Sequence, residues 1–239
     1  MPPAPALRQH DTLTADDAPS SRGEVLARYR RFREISKRHH HEILKLISGD
    51  ALLHQARRLG LARGKTLILD DVNEMHFVCD LAIHTALPGR SRAIDRYARS
   101  ARLVAGSDEA LVLEEMRAAR FSIFAIERRH ETAGLIVTDL FRRAEVRLVD
   151  IGLESSMPDR AIIATRLFTA EHFSMTAGVN VPLDADMIED ILVELPRRLG
   201  DRTLTDVIDH RSFPETTYRV ALASGIMDRI KYQDLPDEA

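Results

Sequence analysis

The chain has 239 residues, of which 44% are hydrophobic and 30% charged, a balance typical of a globular protein with a sizeable core. Its formal net charge is −3, and Cys79 is its one cysteine, which excludes an intrachain disulfide. No apolar run approaches the roughly 20 residues that cross a bilayer, and the N-terminus lacks the pattern of a secretion signal. We therefore predict a cytoplasmic protein that does not contact a membrane.

Composition divides the chain into four regions. Residues 1–22 carry four prolines among polar residues and have no apolar periodicity, which is typical of a disordered tail. Residues 23–120 show the spacing of amphipathic helices, residues 121–183 read as a β module, and residues 184–239 return to helical patterns that would pack on the core. The prediction is an α+β fold: a helical N-terminal half, a small antiparallel β meander or barrel at about 121–183, and C-terminal helices.

The helices and strands follow from local patterns. The first helix is predicted at about Glu24–Ile47, and a short second helix ends near Leu59. Three more are predicted near Val72–Leu87, Arg92–Val104 and Asp108–Arg120. Five β-rich runs with short connections then predict the meander: Phe121–Ile126, Gly134–Leu140, Glu145–Ile151, Ala161–Phe168 and His172–Thr176. Helices with buried apolar residues follow the strands, and the last begins near Pro214.

Basic residues are concentrated at one end of the chain. Between Arg22 and Lys65 there are twelve Lys and Arg residues against four acidic ones. Such a run is either a solvated helix face or a surface for an anionic partner, which includes the acidic remainder of the same chain. If the first helix buries its apolar stripe, six cations lie on its outer faces and become candidate partner-binding residues: Arg28, Arg30, Arg31, Lys37, Arg38 and Lys45.

One spacing in the predicted third helix suits a metal site. His76, Asp80 and His84 stand at i, i+4 and i+8 and share a helix face, and two imidazoles with a carboxylate can ligate a divalent ion. The three span about 12 Å along the axis, which makes it hard for both histidines to reach one ion. The alternative is that Asp80 pairs with one histidine while the other lies at the edge of an apolar layer.

A second candidate pair lies in the β module. Asp139 and Arg166 stand on two strands that would be neighbours in the predicted sheet, each among apolar residues, so we predict a structural ion pair across the strands. The arginines of this segment alternate with acidic residues, and the chain has no Trp. The β module is therefore a poor candidate for a nucleic-acid surface built on a stacking platform.

Short motifs from about Phe77 to Leu183 resemble the core of bacterial hypothetical proteins that often carry a C-terminal SEC-C zinc motif. The resemblance rests on Leu87-Pro-Gly-Arg90, on Leu113-Glu-Glu-Met116 before Ala119-Arg-Phe-Ser-Ile-Phe124, and on Gly134-Leu-Ile-Val-Thr-Asp-Leu140. It continues in Val149-Asp150, Ala164-Thr-Arg-Leu167 and Phe173-Ser-Met-Thr-Ala-Gly178. It implies a β module of unassigned biochemistry. The SEC-C motif itself is absent, because the chain has a single cysteine.

The function predicted from the sequence is a non-catalytic binding or regulatory protein that contacts an anionic or protein partner through the basic first helix. A metal-dependent enzyme using His76, Asp80 and His84 is the first alternative, and a nucleic-acid-associated protein is the second. No cofactor is predicted. The partner is predicted to be a protein, including a second copy of this chain, or a nucleic acid.

Overall fold

The computed structural model describes residues 21–87, 89–199 and 207–226. The predicted tail, apart from residues 21 and 22, lies outside these residues. Within them the chain forms helices at both ends and a β-barrel between, so the predicted α+β fold is confirmed. None of the helices described here combines the length and the apolar character that a membrane span requires.

Five helices precede the barrel: α1 (Arg22–Lys45), α2 (Gly49–Leu59), α3 (Val72–His84), α4 (Ala93–Ser100) and α5 (Asp108–Ala118). All five predicted helices are present, and a small hairpin of β1 (Ala62–Arg63) and β2 (Thr66–Leu67) lies between α2 and α3. Four of the helices begin at a residue whose side chain accepts a hydrogen bond from the first turn: Ser21, Ser48, Asp71 and Ser107.

The β module closes into a barrel. Its strands are β3 (Arg120–Arg129), β4 (Leu135–Asp139), β5 (Ala144–Leu148), β6 (Ile162–Ala170) and β7 (Phe173–Thr176), with β8 (Val181–Leu183) added beside β6. The order β3-β4-β5-β7-β6 returns to β3 through a further pairing of β3 with β6. A short helix, α6 (Ile151–Ser156), connects β5 to β6 and places Leu153 against the barrel interior.

After the barrel, the described residues include the helices α7 (Ala185–Leu199) and α8 (Ser212–Ser224). The apolar residues of α8 pack together with those of α2, α3, α7 and the outer face of β3. Tyr218 of α8 is fully buried and stacks on Phe77 of α3, with ring centroids 4.5 Å apart. The helices therefore cover one side of the barrel and bury the polar side chains of Asp80, Arg166 and Tyr218.

The predicted ion pair between Asp139 and Arg166 is wrong. Strand β3 lies between β4 and β6, so these strands are not neighbours. Alternation also separates the two side chains: Asp139 follows Leu135 and Val137, which face the barrel interior, whereas Arg166 follows Ala164, which packs against the helices. Asp139 instead accepts hydrogen bonds from the side chains of Ser122 and Arg142.

Candidate functional site

A buried ion pair joins the third helix to the barrel. Asp80 on α3 accepts hydrogen bonds from Nε and Nη2 of Arg166 on β6, at 3.2 and 3.1 Å. The hydroxyl of Tyr218 on α8 donates to Oδ2 of the same carboxylate at 2.9 Å. The side chains of Asp80 and Arg166 are 3% and 8% exposed. One carboxylate therefore connects three elements that are distant in the sequence.

Burial and the charge of Asp80 set the protonation of its two partners. Burial by itself lowers the pKa of the Arg166 guanidinium, but the charge and hydrogen bonds of Asp80 outweigh burial, and the net shift is upward. Burial, followed by the charge of Asp80, raises the pKa of the Tyr218 hydroxyl well above its usual range. At neutral pH, Arg166 is therefore protonated and charged, and Tyr218 is protonated and donates its hydrogen bond.

The ion pair lies between two cavities. Arg166 lines a cavity of about 700 Å³, and Asp80 lines a second cavity of about 410 Å³. Cavities of this size are typical of small-molecule sites. We call the larger one the arginine cavity because six arginines line it: Arg90, Arg92, Arg117, Arg120, Arg166 and Arg211.

Three of these six arginines have carboxylate partners. Arg166 is held by Asp80, while Arg92 and Arg117 both bond to Asp95, at 2.7 and 3.3 Å. The single carboxylate among the described lining residues is Asp209, which pairs with Arg142 at 2.5 Å. The other three arginines are exposed and have no ion pair with any residue that the structure describes: Arg90, Arg120 and Arg211. The cavity therefore carries an excess of positive charge.

His84 is the most unusual residue of the arginine cavity. It ends α3, is only 8% exposed, and neither of its ring nitrogens has a hydrogen-bond partner among the described residues. Buried polar atoms are normally paired, so such an atom beside a cavity indicates a place for a ligand or water. Burial, then the charges of Arg166, His40 and Arg92, lowers the pKa of His84 well below its usual range. The ring is therefore neutral at neutral pH.

The residues predicted to form a metal site do not converge. Asp80 is occupied by Arg166 and Tyr218; His76 lines the second cavity with Asp80, whereas His84 lines the arginine cavity. No group of three His, Cys, Asp or Glu side chains within residues 21–87, 89–199 and 207–226 is arranged to hold a metal ion. The prediction is corrected because the carboxylate that would bind the ion is bound to an arginine.

The second cavity adds two further titratable groups beside Asp80. Burial, then the charge of Arg33, lowers the pKa of His40 to about 4. Burial, then the charge of Asp80, raises the pKa of the Cys79 thiol, which disfavours the reactive thiolate. Both groups are therefore neutral at neutral pH.

The cations of the first helix mostly have acidic partners within the chain. Arg28 bonds to Asp108 at 2.7 Å and to Glu171 at 2.5 Å, and Arg31 also bonds to Asp108. The other ion pairs of this group are Lys37 with Glu34, Arg38 with Glu109, and Lys45 with Glu42. Arg30 is exposed and has no ion pair in the described part of the chain. Acidic residues of the same chain, two of them within the basic segment, thus pair with five of these six cations.

Sequence reasoning missed the arginine cavity. The three arginines that have no ion pair among the described residues come from the segment after α3, from the start of β3 and from the residue before α8, and no sequence spacing connects them. The hydrogen bond from Tyr218 to Asp80 was missed for a similar reason, because the two residues are 138 positions apart in the sequence. Of the residues that line this cavity, His84 and Arg166 belonged to predicted sites, but His84 was assigned to a metal and Arg166 to an ion pair with Asp139.

The family model of a family of unknown function, DUF7986, matches residues 24–226, and the chain therefore belongs to this family. The match extends from the first helix to just beyond α8, so the family includes the helices as well as the barrel. No curated protein and no solved structure matches the chain.

Proposed function

We propose that this member of the family is a binding protein whose ligand is a small anion held in the arginine cavity. The observation that carries the proposal is the charge of this cavity: three exposed arginines that have no carboxylate partner among the described residues lie around one concave space. Arginine is the side chain best suited to bidentate recognition of phosphate and carboxylate groups. A concave site also concentrates the electrostatic field, which draws anions in from solution.

The proposal keeps the predicted anionic partner and moves the contact from the first helix to the cavity. Five of the six cations on that helix already have acidic partners, whereas Arg90, Arg120 and Arg211 have none among the described residues. The SEC-C resemblance of residues 77–183 adds no biochemistry to this choice, because it implies a module of unassigned function.

Calorimetric titration with pyrophosphate tests the proposal. We expect binding that weakens between about 50 and about 200 mM salt, because charged contacts are screened. The double variant Arg120→Ala/Arg211→Ala should lose at least about 10-fold in affinity, since a hydrogen bond to a charged group contributes about 1.5–3 kcal/mol. The matched control is Arg30→Ala/Arg63→Ala, which removes the same charge from exposed positions outside the cavity.

Two results contradict the proposal. One is that pyrophosphate does not bind at the lower salt concentration. The other is that the control variant weakens binding as much as the cavity variant, which would mean that the protein attracts anions through its overall charge and not through this site.

A further inference from the structure

The polar side chains that line the arginine cavity differ in burial, and we call the part lined by buried ones its closed end and the part lined by exposed ones its open end. His84 and Arg166 are 8% and 7% exposed and form the closed end. The open end carries the exposed arginines Arg90, Arg120 and Arg211. A ligand that fills the cavity therefore meets two different chemical environments.

The closed end has polar atoms that can bond to a ligand, but it has no excess charge. Asp80 already balances Arg166 through Nε and Nη2, and no hydrogen bond to Nη1 of Arg166 is found in the described structure. Neutral His84 has one N–H donor and one acceptor nitrogen, and neither has a partner in the part of the chain that the structure describes. A group that both accepts and donates, such as a hydroxyl or an amide, would satisfy them. A phosphate dianion placed there would lose its hydration without an unpaired cation to meet it.

The open end has the opposite character. Its three arginines carry charge that no described carboxylate balances, and their planar guanidinium groups match the oxygens of a phosphate. Because these side chains are exposed, a dianion bound to them keeps part of its hydration. The anionic group of the ligand therefore belongs at the open end.

From this division we propose that the ligand is a phosphate monoester whose organic part carries hydroxyl or amide groups: the phosphate binds at Arg90, Arg120 and Arg211, and a neutral polar group bonds to His84. The inference rests on the proposed function and adds the chemical class of the ligand. Sugar phosphates and nucleoside monophosphates both belong to this class, and the cavity volume of about 700 Å³ is within the range for either.

The test compares phosphate esters that differ only in their organic part. Glucose 6-phosphate and hexyl phosphate have the same number of carbons, but only the first has hydroxyl groups; ribose 5-phosphate and adenosine monophosphate extend the comparison to a smaller sugar and to a base. We expect at least one of the three polar esters to bind about 10-fold or more tightly than both hexyl phosphate and inorganic phosphate. Which of them binds best distinguishes a sugar phosphate from a nucleotide.

Two variants assign the effect to the two ends of the cavity. His84→Phe should abolish the advantage of the polar ester over hexyl phosphate. The affinity for inorganic phosphate should change less than about 2-fold, because inorganic phosphate does not contact His84. Arg120→Ala/Arg211→Ala should weaken all probes, including inorganic phosphate. If His84→Phe does not fold, the ring resonances of His84 in the unchanged protein decide: they should shift with the polar ester and not with inorganic phosphate.

The outcomes separate this inference from the proposed function. If inorganic phosphate or hexyl phosphate binds as tightly as every polar ester, or if His84→Phe leaves the difference intact, the assignment of His84 is overturned while anion binding stands. If neither pyrophosphate nor any of the phosphate probes binds, both proposals fail.

Discussion

Gly178 lies so close to Asp80 that a Cβ added at Gly178 would require the carboxylate or the backbone to shift. A Cβ built on Gly178 would lie 2.5 Å from Oδ1 of Asp80, the same atom that accepts the hydrogen bond from Nε of Arg166. The segment after β7 thus covers the buried carboxylate and closes it off on that side. Arg166 and Tyr218 bond to Asp80 and Gly178 packs against it, and the Asp80 side chain is only 3% exposed.

Gly178→Ala should therefore destabilise the fold by about 1–3 kcal/mol, the usual cost of adding a methyl group to a packed interior. Urea unfolding measures the change. Gly49→Ala is the matched control, because a Cβ at that position meets nothing within 4 Å, and it should be neutral or stabilising by up to about 1 kcal/mol. Equal stability of the two variants would show that the Asp80 carboxylate can move aside.

The buried ion pair should behave as a coupled unit in mutants. Asp80→Ala and Arg166→Ala should each cost about 3–5 kcal/mol, because either one leaves a buried charge unpaired. The double variant should cost less than their sum by about 0.5–3 kcal/mol. Asp139→Ala combined with Arg166→Ala should be additive instead, because Asp139 bonds to Ser122 and Arg142 and shares no partner with Arg166. Denaturant unfolding of these variants is the measurement, and coupling in the second pair with none in the first would contradict the structure.

The helices and the barrel were accessible from the sequence because they depend on local signals. Side chains that can cap helices, such as Ser107 and Asp71, precede apolar residues at helical spacing, and the β-rich runs alternate with short turns. Closure was left open between a meander and a barrel, because it depends on β3 pairing with both β4 and β6. Small elements such as β8 and α6 were missed because three to six residues carry little periodicity.

The candidate site could not be predicted from the sequence, and the reason is physical. The sequence singled out Asp80 and His84 by their spacing with His76, and Arg166 as a charged residue among apolar ones. It paired Arg166 with Asp139, however, and grouped Asp80 with the histidines. Choosing the correct partner requires strand order and the face on which each side chain lies, and both are decided by packing across the whole fold. The unpaired arginines show no local pattern, so only the folded structure brings them together.

Histidines whose pKa is lowered by folding should make the protein less stable in mild acid, among them the half-buried His40 and the buried His84. Folding lowers the pKa of His40 to about 4 and that of His84 well below its usual range, mainly through burial, whereas an unfolded histidine titrates near about 6.5. Below about pH 6.5 the unfolded chain therefore binds protons that the folded chain does not, and stability falls as the pH falls. Each histidine contributes a slope of up to about 1.4 kcal/mol per pH unit until its folded pKa is reached.

Urea unfolding between about pH 7.5 and about pH 5 measures this slope. This pH interval lies above the range in which most carboxylates titrate. His84→Phe and His40→Gln should each reduce it, while His76→Gln, a change at an exposed position, should not. A free energy of unfolding that stays constant or rises as the pH falls would show that neither the His40 ring nor the His84 ring remains neutral in the folded protein.

The last prediction concerns nucleic-acid binding by the first helix, whose exposed cations have acidic neighbours. Glu34 pairs with Lys37 at 2.7 Å and Glu42 with Lys45 at 2.6 Å, and both pairs are well exposed. Such pairs contribute little stability and exchange readily, but the carboxylates repel phosphates.

We therefore expect weak binding of duplex and single-stranded DNA at about 50 mM salt, and tighter binding by Glu34→Gln/Glu42→Gln with a steeper salt dependence. Fluorescence anisotropy at about 50 and about 200 mM salt measures both, and Arg30→Glu/Arg31→Glu/Lys37→Glu should abolish the gain. Tight binding by the unchanged protein, with no effect of removing the two carboxylates, would instead favour the first helix as the main anion-binding surface and weaken the case for the cavity.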